Sequence, residues 1–564
     1  MTTHRHRNLV AVALVVAVVA LAWQHRWTFE DGFINFRVVK QLEAGHGPVF
    51  NTGQRVEVFT SPSWLLLLTV ADVLTPIRIE WLSVFLGIAL TAAGLALSIR
   101  ASRLLWSGDA ATTLELPAGA LVIVATAPFW YFATSGLEGG LTFAWLGGSL
   151  YVLAQWATRS VSLPRRSWVL LGLGWLVRPE LLLFSLAAVA AVVVAGPREQ
   201  PLRRRLGASA WAWVLPVGYE VVRMGYFGSL LPNTAYAKAA TGARFGQGWT
   251  YLTQFAANYW LLLAVACLVV VGYVPLLALL VRARDRRRAV VVAWLIGTLF
   301  VTLYIVRLGG DSIDARLLLP SLFAFCSPVA VTRGASALRA VANVALAGWA
   351  VVALASLRPN HPYITAFGDT RRNIVTLSDA LSGDAGRKYP LLERADLTFE
   401  LRPIDAARNR ALPRRTAALS GIGVLGYALP LDFYVFDLTG LADPVIAHFE
   451  LPTRGLPGHE KVEPPVWSVA RLLAPGVEAS PEMFASLIFA RPLIPTTSGA
   501  VFARQVAAAR HALQCGDLRR LQDSYDRRLD AGGFLTNIVR SLTLSRVTIP
   551  PDPFAAERKF CPAR

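Results

Sequence analysis

Leu9-Val10-Ala11-Val12-Ala13-Leu14-Val15-Val16-Ala17-Val18-Val19-Ala20-Leu21-Ala22, followed after a short link by Phe29-Glu30-Asp31-Gly32-Phe33, decides how the chain is read. The first stretch is wholly apolar and carries enough hydrophobic residues to enter a bilayer. The second places two adjacent carboxylates immediately beyond it. Arg5 and Arg7 precede the apolar run, and basic residues stay on the cytoplasmic side of a membrane. The run therefore fits an uncleaved first helix with its N-terminus inside. A signal peptide has the same local pattern, but here many further apolar runs follow.

Working outward, further spans are predicted near 80–99, 117–133, 141–157, 167–178, 180–196, 210–225, 259–281, 289–306, 317–332 and 340–357. Arginines punctuate them. Arg100 and Arg103; Arg159, Arg165 and Arg166; Arg198 and Arg203 to Arg205; Arg282, Arg284 and Arg286 to Arg288; and Arg333 and Arg339 all fall in alternate loops. Trp64–Leu74 is apolar but short. Counting it as a span would put every later arginine cluster on the wrong side, so it is expected to be a juxtamembrane or re-entrant helix. About eleven spans then place the C-terminus outside.

Composition agrees. Of 564 residues, 54% are hydrophobic and 16% charged, against about 25% charged in soluble domains. The net charge of +19 would suggest nucleic-acid binding in a soluble chain. Here the basic residues sit between apolar runs, so the charge reads as topogenic. Cys267 and Cys326 lie within apolar runs and read as packing residues. Cys515 and Cys561 lie beyond the last span, where an oxidising compartment would let them form a disulfide. No cysteine spacing suits zinc.

Two domains are expected. Residues 1–357 form the membrane part, with a long first outer loop at 24–79. Beyond Leu357 hydropathy drops, and residues 358–564 form a soluble extracytoplasmic α+β domain. Its strand-like stretches are Leu397–Leu401 and Phe433–Leu438, and its helix-like stretches are Val501–Leu513 and Leu535–Leu542. The Pro- and Gly-rich stretch 451–465 is a long loop. The fold class is an α-helical polytopic membrane protein carrying that domain.

Candidate chemistry lies in the outer loops. Glu30 and Asp31 can act as a general base, a metal ligand pair or both; they also suit the start of a helix over 33–43, whose dipole favours acids there. Glu57 is a lone acid among aliphatic residues of the same loop, and with Glu30 and Asp31 it could hold a divalent cation. Ser135-Gly136-Leu137-Glu138 ends one span. Arg178-Pro179-Glu180 breaks another, and such breaks line polar cavities. Leu231-Pro232-Asn233-Thr234-Ala235-Tyr236-Ala237-Lys238 groups hydrogen-bonding side chains, Asn233 and Tyr236 among them, with one cation. Gly309-Gly310-Asp311-Ser312 precedes Arg316. Lys238 and Arg316 are candidate holders of a phosphodiester; either could equally anchor to lipid headgroups. The acids and cations of five loops would meet at one membrane face, beneath a soluble domain. That suits a substrate that is half lipid and half sugar.

These features resemble the GT-C glycosyltransferase superfamily. Glu30-Asp31, Thr60-Ser61-Pro62, Ser135-Gly136-Leu137-Glu138, Arg178-Pro179-Glu180, Leu231-Pro232-Asn233-Thr234 with Lys238, and Gly309-Gly310-Asp311 with Arg316 follow its terminal β-(1→2) arabinofuranosyltransferase family in order. So do Asp437-Leu438-Thr439-Gly440-Leu441 with Asp443, and Pro457-Gly458-His459-Glu460-Lys461. The resemblance implies a decaprenyl-phosphoryl-arabinofuranose donor and, as acceptor, the arabinan of arabinogalactan or lipoarabinomannan. It implies Asp31 as principal catalytic carboxylate with Glu30 beside it; His459 and Lys461 either reach the site from above or stabilise their loop. Donor anomer and product linkage are both β in that family, a net retention. Another polyprenyl-phosphate-sugar transferase, such as a mannosyltransferase, and a non-enzymatic envelope scaffold are the alternative readings.

Overall fold

The computed structural model describes residues 2–107, 115–159, 162–197, 199–238, 242–282, 286–311, 313, 315–334, 336–357, 416–419, 421–451, 461, 464–472 and 499–562. Leu397–Leu401 and His459 lie outside the described residues.

The chain opens with α1 (Thr2–Gln24), α2 (Glu30–Glu43), α3 (Pro62–Leu74) and α4 (Ile79–Leu105). After β1 (Glu115–Leu116) come α5 (Ala118–Ala125), α6 (Ala127–Phe132), α7 (Gly139–Arg159), α8 (Arg165–Gly172), α9 (Gly174–Val177) and α10 (Leu182–Ala195). Then follow α11 (Leu202–Ser209), α12 (Val214–Val222), α13 (Asn233–Ala237), α14 (Phe245–Asn258), α15 (Leu261–Leu268), α16 (Val274–Arg282), α17 (Arg286–Leu308) and α18 (Leu319–Cys326). β2 (Thr332–Arg333) pairs antiparallel with β1, and α19 (Ala337–Ala355) closes this part.

Among the described residues, five helical stretches are long and apolar enough to cross a membrane: Arg7–Gln24, Ile79–Leu105, Leu261–Val281, Arg286–Leu308 and Ala337–Ala355. This suits a polytopic membrane protein. Pro62–Leu74, Pro179–Ala195 and Leu319–Val329 are apolar but shorter. The interruptions have local causes. Thr126 and Arg178 have extended backbone just before new helical turns that carry Pro128 and Pro179, Pro removing a donor and disfavouring helix before it. Met224 and Val271 sit in π-turns.

α4 and α7 form the closest helix pair, through glycines. A Cβ on Gly140 would lie 2.4 Å from the Gly87 carbonyl oxygen, and one on Gly147 would lie 2.3 Å from that of Gly94. Small residues let two backbones approach where lipid supplies no hydrophobic drive.

The later residues fold as β3 (Thr416–Leu419), α20 (Val424–Ala428), β4 (Tyr434–Asp437), α21 (Pro444–Ala447), α22 (Pro465–Leu472), α23 (Gly499–Leu513), α24 (Gly516–Asp526), α25 (Ala531–Leu544) and α26 (Pro553–Phe560). β3 and β4 are parallel, with Thr416 opposite Tyr434 and Leu419 opposite Asp437; α20 lies in their crossover. A Cys515–Cys561 disulfide ties the start of α24 to the end of α26.

The hydrophobic cores do not follow chain order. One joins most of the apolar helices, from Val18 of α1 to Ala353 of α19. The other joins α2, the 49–59 stretch and Trp64 of α3 to residues between 417 and 560. Arg37 shows how α2 is fixed there. It is fully buried and donates to the carbonyls of Phe50, Gly426, Leu429, Pro430 and Phe433. Burial pulls its pKa down to about 10, and Asp432 opposes this. Asn51 bonds both the N–H and the C=O of Val435, each at 2.9 Å, acting as a one-residue strand beside β4.

Candidate active site

Asp31 lies in the first turn of α2, and the turn after α6 sets its position. The Phe29 N–H donates to the Ser135 carbonyl at 2.8 Å. Trp64 Nε1 donates to the Gly136 carbonyl at 3.0 Å. Gly136 has φ +80°, which an L side chain resists, and Gly32 packs directly on this turn: a Cβ there would meet Ser135 O at 3.1 Å. The Ser135-Gly136-Leu137-Glu138 turn thus brings Glu138 to the same wall as Asp31.

Arg178 has extended backbone (φ −157°) because Pro179 follows it, and this turns its side chain out of the helical path. It pairs with Glu180 at 2.6 Å and Glu138 at 3.3 Å. Gly309 and Gly310, with φ +96° and +76°, end α17 and turn the chain to Asp311. Ala315 holds a left-handed φ of +61° while fully buried, a conformation costly for any residue with a Cβ. Arg316 follows it. Its Nε donates to Asp311 at 2.6 Å and its Nη1 to Asp31 at 3.1 Å, and its guanidinium lies 5.7 Å from the Phe29 ring centroid. Burial opposes the Arg316 charge, but Asp311 and Asp31 outweigh it and raise its pKa.

A cavity of about 290 Å³ collects these groups. Asp31, Glu138, Arg178, Glu180, Lys238, Asp311 and Arg316 all line it, with apolar walls from Val58, Phe59, Leu137, Leu308 and Leu441. The cavity therefore draws on five separate interhelical links. Four carboxylates face three cations. Such a charge-rich, partly apolar cavity can hold an anionic group against the arginines while a lipid portion contacts the walls.

Other candidates fall outside it. Glu30 is turned to the back of the site, where it accepts from the Gly423 N–H and hydrogen-bonds the Asp31 side chain. Burial first, and then the Asp31 charge, push its carboxyl up to about 8. Glu57 is buried against Arg223 (2.6 Å) and Tyr219 (2.6 Å); burial raises its pKa while Arg223 and Tyr219 oppose. Glu57 thus has its own partners, apart from the adjacent Glu30–Asp31 pair. Among the described residues, the one acid, His and Cys group close enough for a metal is His511, Cys515 and Cys561, and its cysteines are disulfide-bonded.

Asn233 hydrogen-bonds the carbonyls of Gly440 (2.8 Å) and Leu441 (2.9 Å), and its N–H meets the Glu57 carbonyl at 2.9 Å. It thereby draws the 437–443 turn over the cavity. Asp437 shapes that turn, accepting from the Thr439 N–H, the Thr439 hydroxyl and the Ala442 N–H. Burial pushes Asp437 up to about 6 against those bonds. Asp443 caps α21 and pairs with Arg471. Tyr236 stacks on His448 with centroids 4.6 Å apart. Lys461 is buried and donates to the Ala447 carbonyl at the end of α21.

Arg37, Asn51 and Arg223 were not singled out in the sequence, yet they hold the site's framework. A signal for Arg37 was present: it shares the Phe33 face of α2, and a cation on an apolar face needs partners. Asn51 and Arg223 carry no comparable local mark.

The chain is 31% identical to the terminal β-(1→2)-arabinofuranosyltransferase of Mycobacterium tuberculosis, with 97% of each chain covered. It is 27% identical to the protein of that name from Corynebacterium glutamicum, over 98% of this chain and 87% of the relative. No family model and no solved structure matches it.

Proposed function

The chain belongs to the terminal β-(1→2)-arabinofuranosyltransferase family and is a glycosyltransferase, and from that premise we propose a specific reaction for it. The donor is decaprenyl-phosphoryl-arabinofuranose. The acceptors are the non-reducing ends of the arabinan of arabinogalactan and lipoarabinomannan, and the product carries terminal β-(1→2) linkages. The chain crosses the plasma membrane about eleven times, of GT-C type, with its N-terminus cytoplasmic. Residues 358–564 form the extracytoplasmic domain, and the cavity opens at that face.

The observation that carries this reading is the Asp31–Arg316–Asp311 chain at the wall of a cavity reached by five links. Arg316, Arg178 and Lys238 bind and polarise the phosphate, where negative charge grows as the sugar leaves. With β donor and β product, one in-line displacement gives the wrong anomer, so Asp31 acts as nucleophile in two steps. Its carboxylate oxygen bonds to the anomeric carbon as the bond from that carbon to the phosphate oxygen breaks. The acceptor 2-hydroxyl then displaces the Asp31 carboxylate, and its proton passes to the polyprenyl phosphate released in the first step. Each step inverts, and together they retain.

The test supplies purified full-length protein with polyprenyl-phosphate-linked arabinofuranose or mannose and an arabinan oligosaccharide. Thin-layer analysis should show transfer from the arabinose donor alone. Equal or preferred transfer of mannose would overturn the donor assignment.

A further inference from the structure

α25 presents an apolar stripe outward. Its exposed face carries Leu535, Val539 and Leu542, which are 64%, 69% and 52% exposed. Its buried face carries Asn537, Ser541 and Leu544, which are 5%, 0% and 1% exposed. A helix packed on a water-soluble domain would not leave such a stripe of aliphatic residues facing outward. The buried polar groups are fully used. Asn537 donates to the carbonyls of Gly225 (3.1 Å) and Ser524 (3.0 Å), and Ser541 donates to that of Ile538.

Its neighbour gives the reason. Phe534 packs against Gly225, where an added Cβ would lie 2.2 Å from the ring. Gly225 is in the π-turn that continues α12. α12 itself shows Val217, Val221 and Val222 on its surface, 54%, 44% and 47% exposed. The apolar surface of α25 therefore runs on from that of α12. Arg527, Arg528 and Arg546 flank α25 at its two ends, all exposed, at the positions where snorkelling cations meet headgroups.

We infer that α25, a helix of the C-terminal part, lies in the bilayer surface with Leu535, Val539 and Leu542 among the acyl chains. The inference rests on the membrane-spanning reading of α12 given above. α25 is then a second membrane attachment, which fixes the height of the C-terminal part above the lipid. It also reaches the site, because Ser545 just after α25 accepts from the Leu230 N–H at 3.2 Å. Leu231 and Pro232, next in the chain, line the cavity. The depth of α25 sets where that wall meets the lipid-borne substrate.

The experiment places single nitroxide labels on full-length protein in lipid nanodiscs, in a background of Cys267→Ala and Cys326→Ala. The labelled variants are Val539→Cys on α25, Arg520→Cys on the exposed face of α24, and Val344→Cys in the span Ala337–Ala355. Collision with oxygen reports lipid, and collision with a nickel chelate reports water. The expected result is an oxygen-to-nickel ratio at 539 several-fold above that at 520 and close to that at 344. A ratio at 539 equal to that at 520, with 344 in lipid, overturns the inference and leaves the membrane reading standing. Protection of 539 from both reagents means a protein partner covers the helix, which also overturns it. A water-like ratio at 344 removes both.

Discussion

Replacing Asp31 with Asn separates chemistry from architecture. The Asp31 side chain is 29% exposed and that of Arg316 is 12% exposed, so their pair is partly solvated. Such pairs stabilise by about 0–1 kcal/mol. Arg316 keeps its 2.6 Å bond to Asp311 in the variant, so no cation is orphaned. Stability should therefore fall by no more than about 1 kcal/mol, and the melting temperature by about 2–4 °C. On the proposed mechanism, however, the variant has lost its nucleophile. A positioned carboxylate contributes about 10²–10⁴-fold to turnover, and a nucleophile at least as much. A fall near 10³-fold corresponds to about 4 kcal/mol of barrier. The assay measures single-turnover transfer of labelled arabinofuranose from the polyprenyl-phosphate donor to an arabinan oligosaccharide, beside a thermal melt of the same preparation. Turnover within about tenfold of wild type would refute the role of Asp31. A collapse of folding would refute the claim that the pair is a minor structural element. Azide added to Asp31→Gly extends the test: if Asp31 is the nucleophile, azide attacks the β donor directly from the vacated side and gives the inverted α-glycosyl azide, and a β-glycosyl azide would contradict that role.

Arg37→Met removes donors from five carbonyls in the second core. Unsatisfied buried acceptors cost about 1–3 kcal/mol each, partly offset by no longer burying a charge. A net loss of about 3 kcal/mol or more is expected, read as a lower melting temperature and faster proteolysis of α2; an unchanged melt would contradict it. Glu30→Gln should flatten the dependence of stability on pH. In the native protein the Glu30 carboxyl is raised to about 8, so between its ordinary value of 4.5 and 8 the folded state holds a proton that the unfolded state has released. Stability is therefore greatest below that window and falls as pH rises through it. Gln keeps an acceptor for the Gly423 N–H and cannot ionise. Its stabilising effect should grow toward alkaline pH, and parallel melting profiles for the two proteins would rule this out.

Much of the site was legible because its residues interrupt apolar runs. Asp31, Glu138, Arg178 and Arg316 stand out against apolar runs in which charge is expensive, and all four line one cavity. Helices fall at the predicted runs for the same reason: period and polarity are local properties. What sequence did not reveal is how far each group reaches. Glu57 and Lys461 read as loop residues, yet both are buried in particular hydrogen bonds. Glu30 and Asp31 look interchangeable in the chain, but successive helical positions point about 100° apart, so one faces the cavity and the other Gly423. The second core was also hidden. Nothing local in the first loop announces that its partners come nearly four hundred residues later.

That last separation has a consequence in time. Arg37 binds carbonyls 389 to 396 positions downstream. At about 5–20 residues per second, synthesis leaves α2 without its core for roughly 20–80 s. The helix bearing Asp31 must wait through the insertion of every later span, its apolar face uncovered. Assembly of the candidate active site then comes after synthesis of the membrane part. A chain that stops short of β4 lacks the framework that holds Asp31, although every residue lining the cavity except Leu441 has already been made.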